Sequence, residues 1–116
     1  MAKAYAETAV AFASALNSGD WKRAHALLVP SLQDTMSPSH LEREFHRLFP
    51  DSVEGSRTVV QFDEQFAMDD WPDKQPGDAG WVYVSIVGEE VIEAVTVIVA
   101  DAGGALGIRS VEWGRP

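Results

Sequence analysis

The segment WVYVSIVGEEVIEAVTVIVA, residues 81–100, decides the fold, because its β-branched and aromatic residues are typical of strands. Gly88 and Glu89 interrupt it, and glycine supplies the positive φ that a tight hairpin turn requires. The sequence therefore predicts two antiparallel strands, residues 81–87 and 90–100, joined by a two-residue turn.

Side chains alternate between the two faces of a strand, so the register of this hairpin sorts them into two sets. One set, the aliphatic face, contains Val82, Val84, Ile86, Val91, Glu93, Val95, Val97 and Val99. The other set, the aromatic face, contains Trp81, Tyr83, Ser85, Ile92, Thr96 and Ile98. We expect the aliphatic face to pack in the core, with Glu93 as its charged exception.

A second turn, within residues 101–104, leads to a further predicted strand, residues 105–113. Its length decides the face that each following residue joins. For a two- or four-residue turn, the aliphatic face gains Leu106, Ile108, Ser110 and Glu112, and the aromatic face gains Arg109, Val111 and Trp113. A three-residue turn reverses this assignment.

The N-terminal half has the periodicity of three helices. Their apolar stripes are Tyr5, Ala9, Phe12 and Leu16; Trp21, Ala24 and Leu28; and Leu41, Phe45 and Leu48. Gly19 ends the first helix, residues 2–18, Asp20 caps the second, and Pro30 marks its end. The third begins at Ser37, before a proline, or at the capping box of residues 39–42.

Between the helices and the hairpin, residues 57–68 alternate with period two and predict another strand. Its even positions are Thr58, Val60, Phe62, Glu64, Phe66 and Met68. Residues 69–80 contain two prolines and two glycines and predict a long acidic loop.

Composition fits a single domain over residues 1–116, with no cysteine for disulfides, thiolate chemistry or thiolate zinc sites. The net charge of −9, with scattered bases, argues against nucleic acid and anionic membranes as partners. No apolar run approaches the roughly 20 residues that span a bilayer. We therefore expect a cytoplasmic protein.

The order of elements begins with a helix that ends in LNSGDW at residues 16–21, followed by a short helix with Ala24 and Leu28, a third helix and a valine-rich sheet. This order resembles the nuclear-transport-factor-2-like, cystatin-like superfamily. Helices before hairpin-linked strands also favour an antiparallel sheet with helices on one face. The resemblance implies an α+β fold in which three N-terminal helices pack on a curved four-stranded antiparallel sheet, a cystatin-like cone. It also implies a cavity for ligand binding, catalysis or neither, and frequent homodimers through the open sheet face.

Two carboxylates, Glu64 and Glu93, are candidate catalytic groups because each interrupts an apolar face. Desolvation raises the pKa of a carboxyl group, which suits general acid–base chemistry. For Glu64 the alternative is a β-bulge or strand end that turns it to water. A four-residue second turn would place Glu112 opposite Glu93 as a proton-sharing pair. The alternative is that both lie at the wet end of the sheet.

The candidate ligand or interface residues are Trp71, Trp81, Tyr83, Arg109 and Trp113. An aromatic face with an arginine suits a dimer or protein interface, and packing against the helices is the alternative. The histidines, His25, His40 and His46, lack ligand spacing, so no metal and no cofactor is expected.

The leading hypothesis is a non-catalytic ligand- or protein-binding domain that forms a homodimer through the aromatic face. An enzyme resembling ketosteroid isomerase or polyketide cyclases is the first alternative, with Glu64 as the base, Tyr83 as a hydrogen-bond donor and a small apolar substrate. The second is an immunity-like protein that binds a basic partner through its acidic loop, residues 69–78.

Overall fold

The computed structural model describes residues 4–50, 67–88 and 92–114 and the backbone of residues 58–60. The helices are α1 Ala4–Asn17, α2 Trp21–Ala26, α3 Pro30–Gln33 and α4 Pro38–Leu48. The strands are β1 Thr58–Val60, β2 Ala67–Met68, β3 Asp78–Val87, β4 Ile92–Ala102 and β5 Ala105–Trp113. The α+β class is confirmed. The described residues form four helices instead of three, because Pro30 occupies the first position of a separate helical turn.

The predicted helix signals near α1, α2 and α4 are confirmed. Gly19 has φ +76° and its N–H donates to the Leu16 carbonyl, while the Asp20 N–H donates to the Ala15 carbonyl. These two bonds form a Schellman motif, which needs a residue with positive φ and so favours glycine. The Asp20 side chain caps α2, and the Ser37 hydroxyl caps α4.

The sheet is antiparallel, and β1 and β2 both pair with the edge of β3 that faces away from β4. The sheet is therefore four strands wide, in the order β1 and β2, β3, β4, β5. Val60 pairs with Ser85, and Ala67 pairs with Val82. Six residues lie between Val60 and Ala67, whereas only two lie between their partners on β3. An uninterrupted ladder would have two on both strands. The predicted strand over residues 57–68 therefore does not pair with β3 as one uninterrupted ladder, and its residues 57 and 61–66 lie outside the described residues.

The hairpin of β3 and β4 keeps the predicted faces in a different register. Val87 pairs with Ile92, which leaves four residues between the strands instead of two. A change of two residues preserves side-chain parity, so Val84 still lies beside Val95 on the aliphatic face. β3 also begins earlier than predicted, at Asp78, with a register shift at the following residue.

The hairpin of β4 and β5 turns through Gly103 and Gly104, whose φ values of +71° and +92° suit a two-residue turn. Leu106 and Ile108 join the aliphatic face as predicted. The register then shifts at Arg109, because Val99 pairs with Ile108 but Ile98 pairs with Ser110. This β-bulge reverses the faces of the residues that follow.

The predicted faces of four β5 residues are therefore wrong. Val111 pairs with Val97 and Trp113 pairs with Val95, so both lie on the aliphatic face. Ser110 and Glu112 lie on the aromatic face. Since Glu112 pairs with Thr96, the predicted pair of Glu112 and Glu93 does not form.

The core lies between the helices and the aliphatic face. Its fully buried side chains include Phe12 and Leu16 of α1, Leu41 and Phe45 of α4, and the aliphatic residues of β3, β4 and β5. The Phe45 ring lies 5.9 Å from Trp21 and 5.3 Å from Phe49, centroid to centroid. No helix among the described residues is long and apolar enough to cross a membrane.

The edge of β5 is partly covered by the chain between α2 and α3. The Ile108 N–H donates to the Leu27 carbonyl at 2.8 Å, and the Val29 N–H donates to the Ile108 carbonyl at 2.9 Å. A Cβ at Gly107 would lie 3.0 Å from Val29 Cγ1, so glycine allows this close approach.

Candidate functional site

The aromatic face is the face of the sheet on which none of the described helices packs. By register it contains Met68, Asp78, Trp81, Tyr83, Ser85, Val87, Ile92, Ala94, Thr96, Ile98, Ala100, Ser110 and Glu112. Trp81, Tyr83 and Ile98 are half-buried, and Ile92 is 53% exposed. Among the described residues Ile92 is the exposed large hydrophobic side chain, and it lies on this face beside the half-buried aromatic residues.

Small side chains lie between these larger ones and are buried. Ser85, Ala94 and Thr96 are at most 3% exposed. The Thr96 Oγ1 atom is buried and has no hydrogen-bond partner among the described residues. An unsatisfied buried hydroxyl costs about 1–3 kcal/mol, so this position is not optimised for the stability of the single chain.

A buried ion pair joins the start of β3 to the bulge in β5. The Arg109 Nε–H donates to Asp78 Oδ1 at 2.6 Å, and the Arg109 Nη2–H donates to Asp78 Oδ2 at 2.8 Å. The Asp78 side chain is 1% exposed and the Arg109 side chain 29%. Asp78 lies at the register shift at the start of β3, and Arg109 lies at the β-bulge in β5. The ion pair therefore joins the two register shifts of the sheet.

The charge of Asp78 is stabilised despite its burial. Burial raises the pKa of Asp78, but hydrogen bonds from the Arg109 guanidinium and the Gln75 N–H, with attraction to Arg109 and Lys74, outweigh it. The pKa therefore lies below the ordinary value of 3.8. Asp78 is ionised near neutral pH, and Arg109 compensates its charge within the chain.

Two charged groups at the β5 side of this face keep unused bonding capacity. Arg109 has five N–H donors, of which Asp78 takes two. Glu112 is exposed and pairs by register with Thr96, and its carboxylate has no hydrogen bond or ion pair with another described residue. The spare N–H donors of Arg109 and the Glu112 carboxylate are thus available to a molecule that contacts β5.

The part of the predicted acidic loop that precedes β3, residues 69–77, is anchored to α1. The Tyr5 hydroxyl donates to Asp69 Oδ1 at 2.5 Å, and Lys74 Nζ donates to the Asp69 carbonyl at 2.5 Å. Lys74 Nζ also lies 5.6 Å from the centre of the Trp71 ring. A Cβ at Gly80 would lie 2.1 Å from Tyr5 Cδ1, so the Tyr5 ring needs a glycine there.

The candidate residues from the sequence do not converge on one site. Tyr83 lies on the aromatic face, whereas Glu93 is half-buried on the aliphatic face opposite Ile86. Glu64 lies outside the described residues. Trp113 packs against the core, and Trp71 lies in the loop, with its buried Nε1 lacking a hydrogen-bond partner among the described residues.

The structure brings together Trp81, Tyr83 and Arg109 at one face and adds Asp78, which sequence reasoning had placed in the acidic loop. The missed signal was Arg109 at the centre of a mostly apolar predicted strand, because an arginine that is partly buried needs an acidic partner.

The histidines have structural surroundings. His25 Nε2 lies 3.1 Å from the Gln33 carbonyl oxygen, and the His46 ring meets Trp21 edge-on at 5.7 Å. No group of three or more potential metal-ligating side chains occurs within the part of the chain that the structure describes.

Neither a protein-family model, nor a curated protein sequence, nor a solved structure matches this chain. Inference about its function therefore depends on the chemistry of the aromatic face.

Proposed function

We propose that this chain is a non-catalytic protein-binding domain that forms a homodimer through its aromatic face. The observation that carries the proposal is the sheet face that no described helix covers, with half-buried Trp81, Tyr83 and Ile98 and exposed Ile92. Tryptophan and tyrosine are enriched in interface centres, because each buries a large area and loses little conformational entropy.

The distribution of charge supports a second copy as the partner. With a net charge of −9, two copies repel each other wherever their acidic surfaces meet. On the aromatic face Arg109 compensates Asp78, which leaves Glu112 as the uncompensated acid among the described residues. Two acidic chains can approach each other at this face with little electrostatic cost.

The order of helices and strands supports a nuclear-transport-factor-2-like cone as the fold type. In this proposal the sheet curves around α1, whose Phe12 and Leu16 are fully buried. The aromatic face is then the outer surface of the cone, the surface through which dimers of that superfamily often form. A cytoplasmic setting fits a chain without cysteine.

The size of the face predicts a weak dimer. The strands β3, β4 and β5 are nine to eleven residues long, and β1 and β2 add five residues at one edge. With strands about 4.8 Å apart and roughly 3.3 Å per residue, the face covers roughly 550 Å². A standard interface buries about 800 Å² on each partner. We therefore expect a reversible dimer whose population depends on protein concentration.

Sedimentation equilibrium over a wide concentration range tests the proposal. The wild-type chain should dimerise, and Ile98→Lys should remain monomeric, because it places a charge in the middle of the face. Ala26→Lys is the matched control, since Ala26 is exposed on α2, and it should dimerise like wild type. Circular dichroism and urea unfolding verify that each variant is folded. A monomeric wild type, or equal dimerisation of folded Ile98→Lys, would contradict the proposal.

A further inference from the structure

Arg109 and Glu112 are the two groups of the aromatic face with unused bonding capacity, and they lie on the same strand. Glu112 lies three positions after Arg109 on β5, which corresponds to about 10 Å along the strand. One is a cation with three spare donors and the other is an exposed carboxylate. Among the described residues Asp78 is the acid that binds Arg109, so the spare donors are available to a carboxylate of another molecule.

We infer that Arg109 of one copy binds Glu112 of a second copy, and that the reciprocal pair forms at the same time. This inference rests on the proposed homodimer and specifies its geometry. In a two-fold interface, if one residue contacts another, the reciprocal contact follows by symmetry. The two-fold axis then lies in the plane of the interface and crosses β5 midway between Arg109 and Glu112, close to Ser110. Each Glu112 carboxylate meets the spare donors of an Arg109 guanidinium across this axis.

The same axis accounts for the remaining residues at the centre of the face. Trp81, Ile98 and Ser110 form one row across the sheet, and Tyr83, Thr96 and Glu112 form the neighbouring row. An axis between the rows stacks the first row of one copy on the second row of the other. Trp81 then packs against Tyr83 of the second copy, and Ile98 packs over Thr96.

Asp78 is a positioning residue in this arrangement. Its two bonds fix the guanidinium, so Arg109 loses little side-chain entropy when it binds a second carboxylate. The arrangement also gives specificity, because a partner without an arginine at the matching position leaves Glu112 beside an acidic chain without compensation.

Cross-linking tests the position of the axis, because the chain has no native cysteine. Ser110→Cys places a thiol close to the axis, and a short bismaleimide should link two copies efficiently. Ile92→Cys is the control on the same face. It lies six residues along β4 from Ile98, the pairing partner of Ser110, so its two copies should be roughly 40 Å apart and should not cross-link.

Charge substitution tests the pair. Glu112→Gln should raise the dimer dissociation constant about tenfold, since two exposed pairs are lost, and Glu112→Lys should raise it further. Glu7→Lys makes the same charge change at an exposed position on α1 and should not weaken the dimer. Glu112 is exposed, so these variants should fold.

The outcomes separate this inference from the proposed function. A dimer that Ser110→Cys cross-links and Glu112→Lys weakens supports the inference. A dimer that survives Glu112→Lys unchanged, or that fails to cross-link through Ser110→Cys, overturns the pair and leaves the homodimer standing. A wild-type chain that stays monomeric at every concentration overturns both.

Discussion

Strand β4 presents two different surfaces to its surroundings. Val95, Val97 and Val99 point towards the helices and are at most 1% exposed. Their neighbours on the other side, including Thr96 and Ile98, form a face that no described helix covers. The first surface contributes to stability, because apolar area is removed from water within the chain. The second leaves apolar area and bonding capacity for a partner, so substitutions on the two faces should act on different properties.

The largest expected difference between the faces concerns two isoleucines at the same end of the sheet. Ile86 is fully buried on the aliphatic face, whereas Ile92 is 53% exposed on the aromatic face. Ile86→Ala should lower the free energy of unfolding by about 3 kcal/mol, through lost burial and a cavity. Ile92→Ala should change it by less than about 0.5 kcal/mol. Urea unfolding of the dilute protein measures both, and equal effects would remove the distinction between the faces.

The next effect concerns the ion pair that crosses the aromatic face. Arg109→Gln leaves the buried Asp78 carboxylate without its cation and should lower the free energy of unfolding by about 2 kcal/mol. Arg47→Gln is the matched control, because the Arg47 side chain is 71% exposed and pairs with Glu44 on the surface of α4. Its effect should stay below about 0.5 kcal/mol. Similar losses from the two arginine substitutions would mean that burial of Asp78 does not matter.

The parts of the fold that the sequence predicted are those with local causes. Gly19, Asp20 and Ser37 act on backbone groups within a few residues, so the boundaries near them were predictable. The faces of β3 and β4 were also predictable, because an error of two residues in the turn preserves parity. Pro30 follows the end of α2 as predicted, but its second role as the first residue of α3 was missed, because a proline suits the first turn of a helix.

The bulge in β5 could not be predicted, because its causes are distant in sequence. Arg109 pairs with Asp78, which is 31 residues away, and Ile108 bonds to the chain at Leu27 and Val29. A single extra residue then moved Trp113 to the core and Glu112 to the aromatic face. Trp81 and Tyr83 precede the bulge in the chain, so their assignment to the aromatic face was correct.

The pH dependence of stability should depend on the same ion pair. The pKa of Asp78 is lower in the folded chain than its ordinary value of 3.8, so its charge stabilises the folded state above that pH. The stabilisation by the Asp78 charge is lost as the pH falls below 3.8 and then through the lower pKa that Asp78 has in the folded chain. The difference in unfolding free energy between wild type and Asp78→Asn should therefore be constant from neutral pH to mildly acidic pH and should narrow below about 4. A difference that already narrows near neutral pH would contradict a lowered pKa.

The smallest expected effect compares two adjacent residues of β4 that point to opposite faces. Thr96 buries a hydroxyl without a partner among the described residues, so Thr96→Val should leave stability unchanged or raise it by up to about 1 kcal/mol. Val97→Thr is the reverse change on the aliphatic face and should lower stability by about 1–2 kcal/mol, because it buries a hydroxyl in the core. Thermal and urea unfolding of both variants measure the signs. If Thr96→Val destabilises the dilute chain as much as Val97→Thr, the Thr96 hydroxyl is satisfied within the chain, and the aromatic face is less open to a partner than its exposed residues indicate.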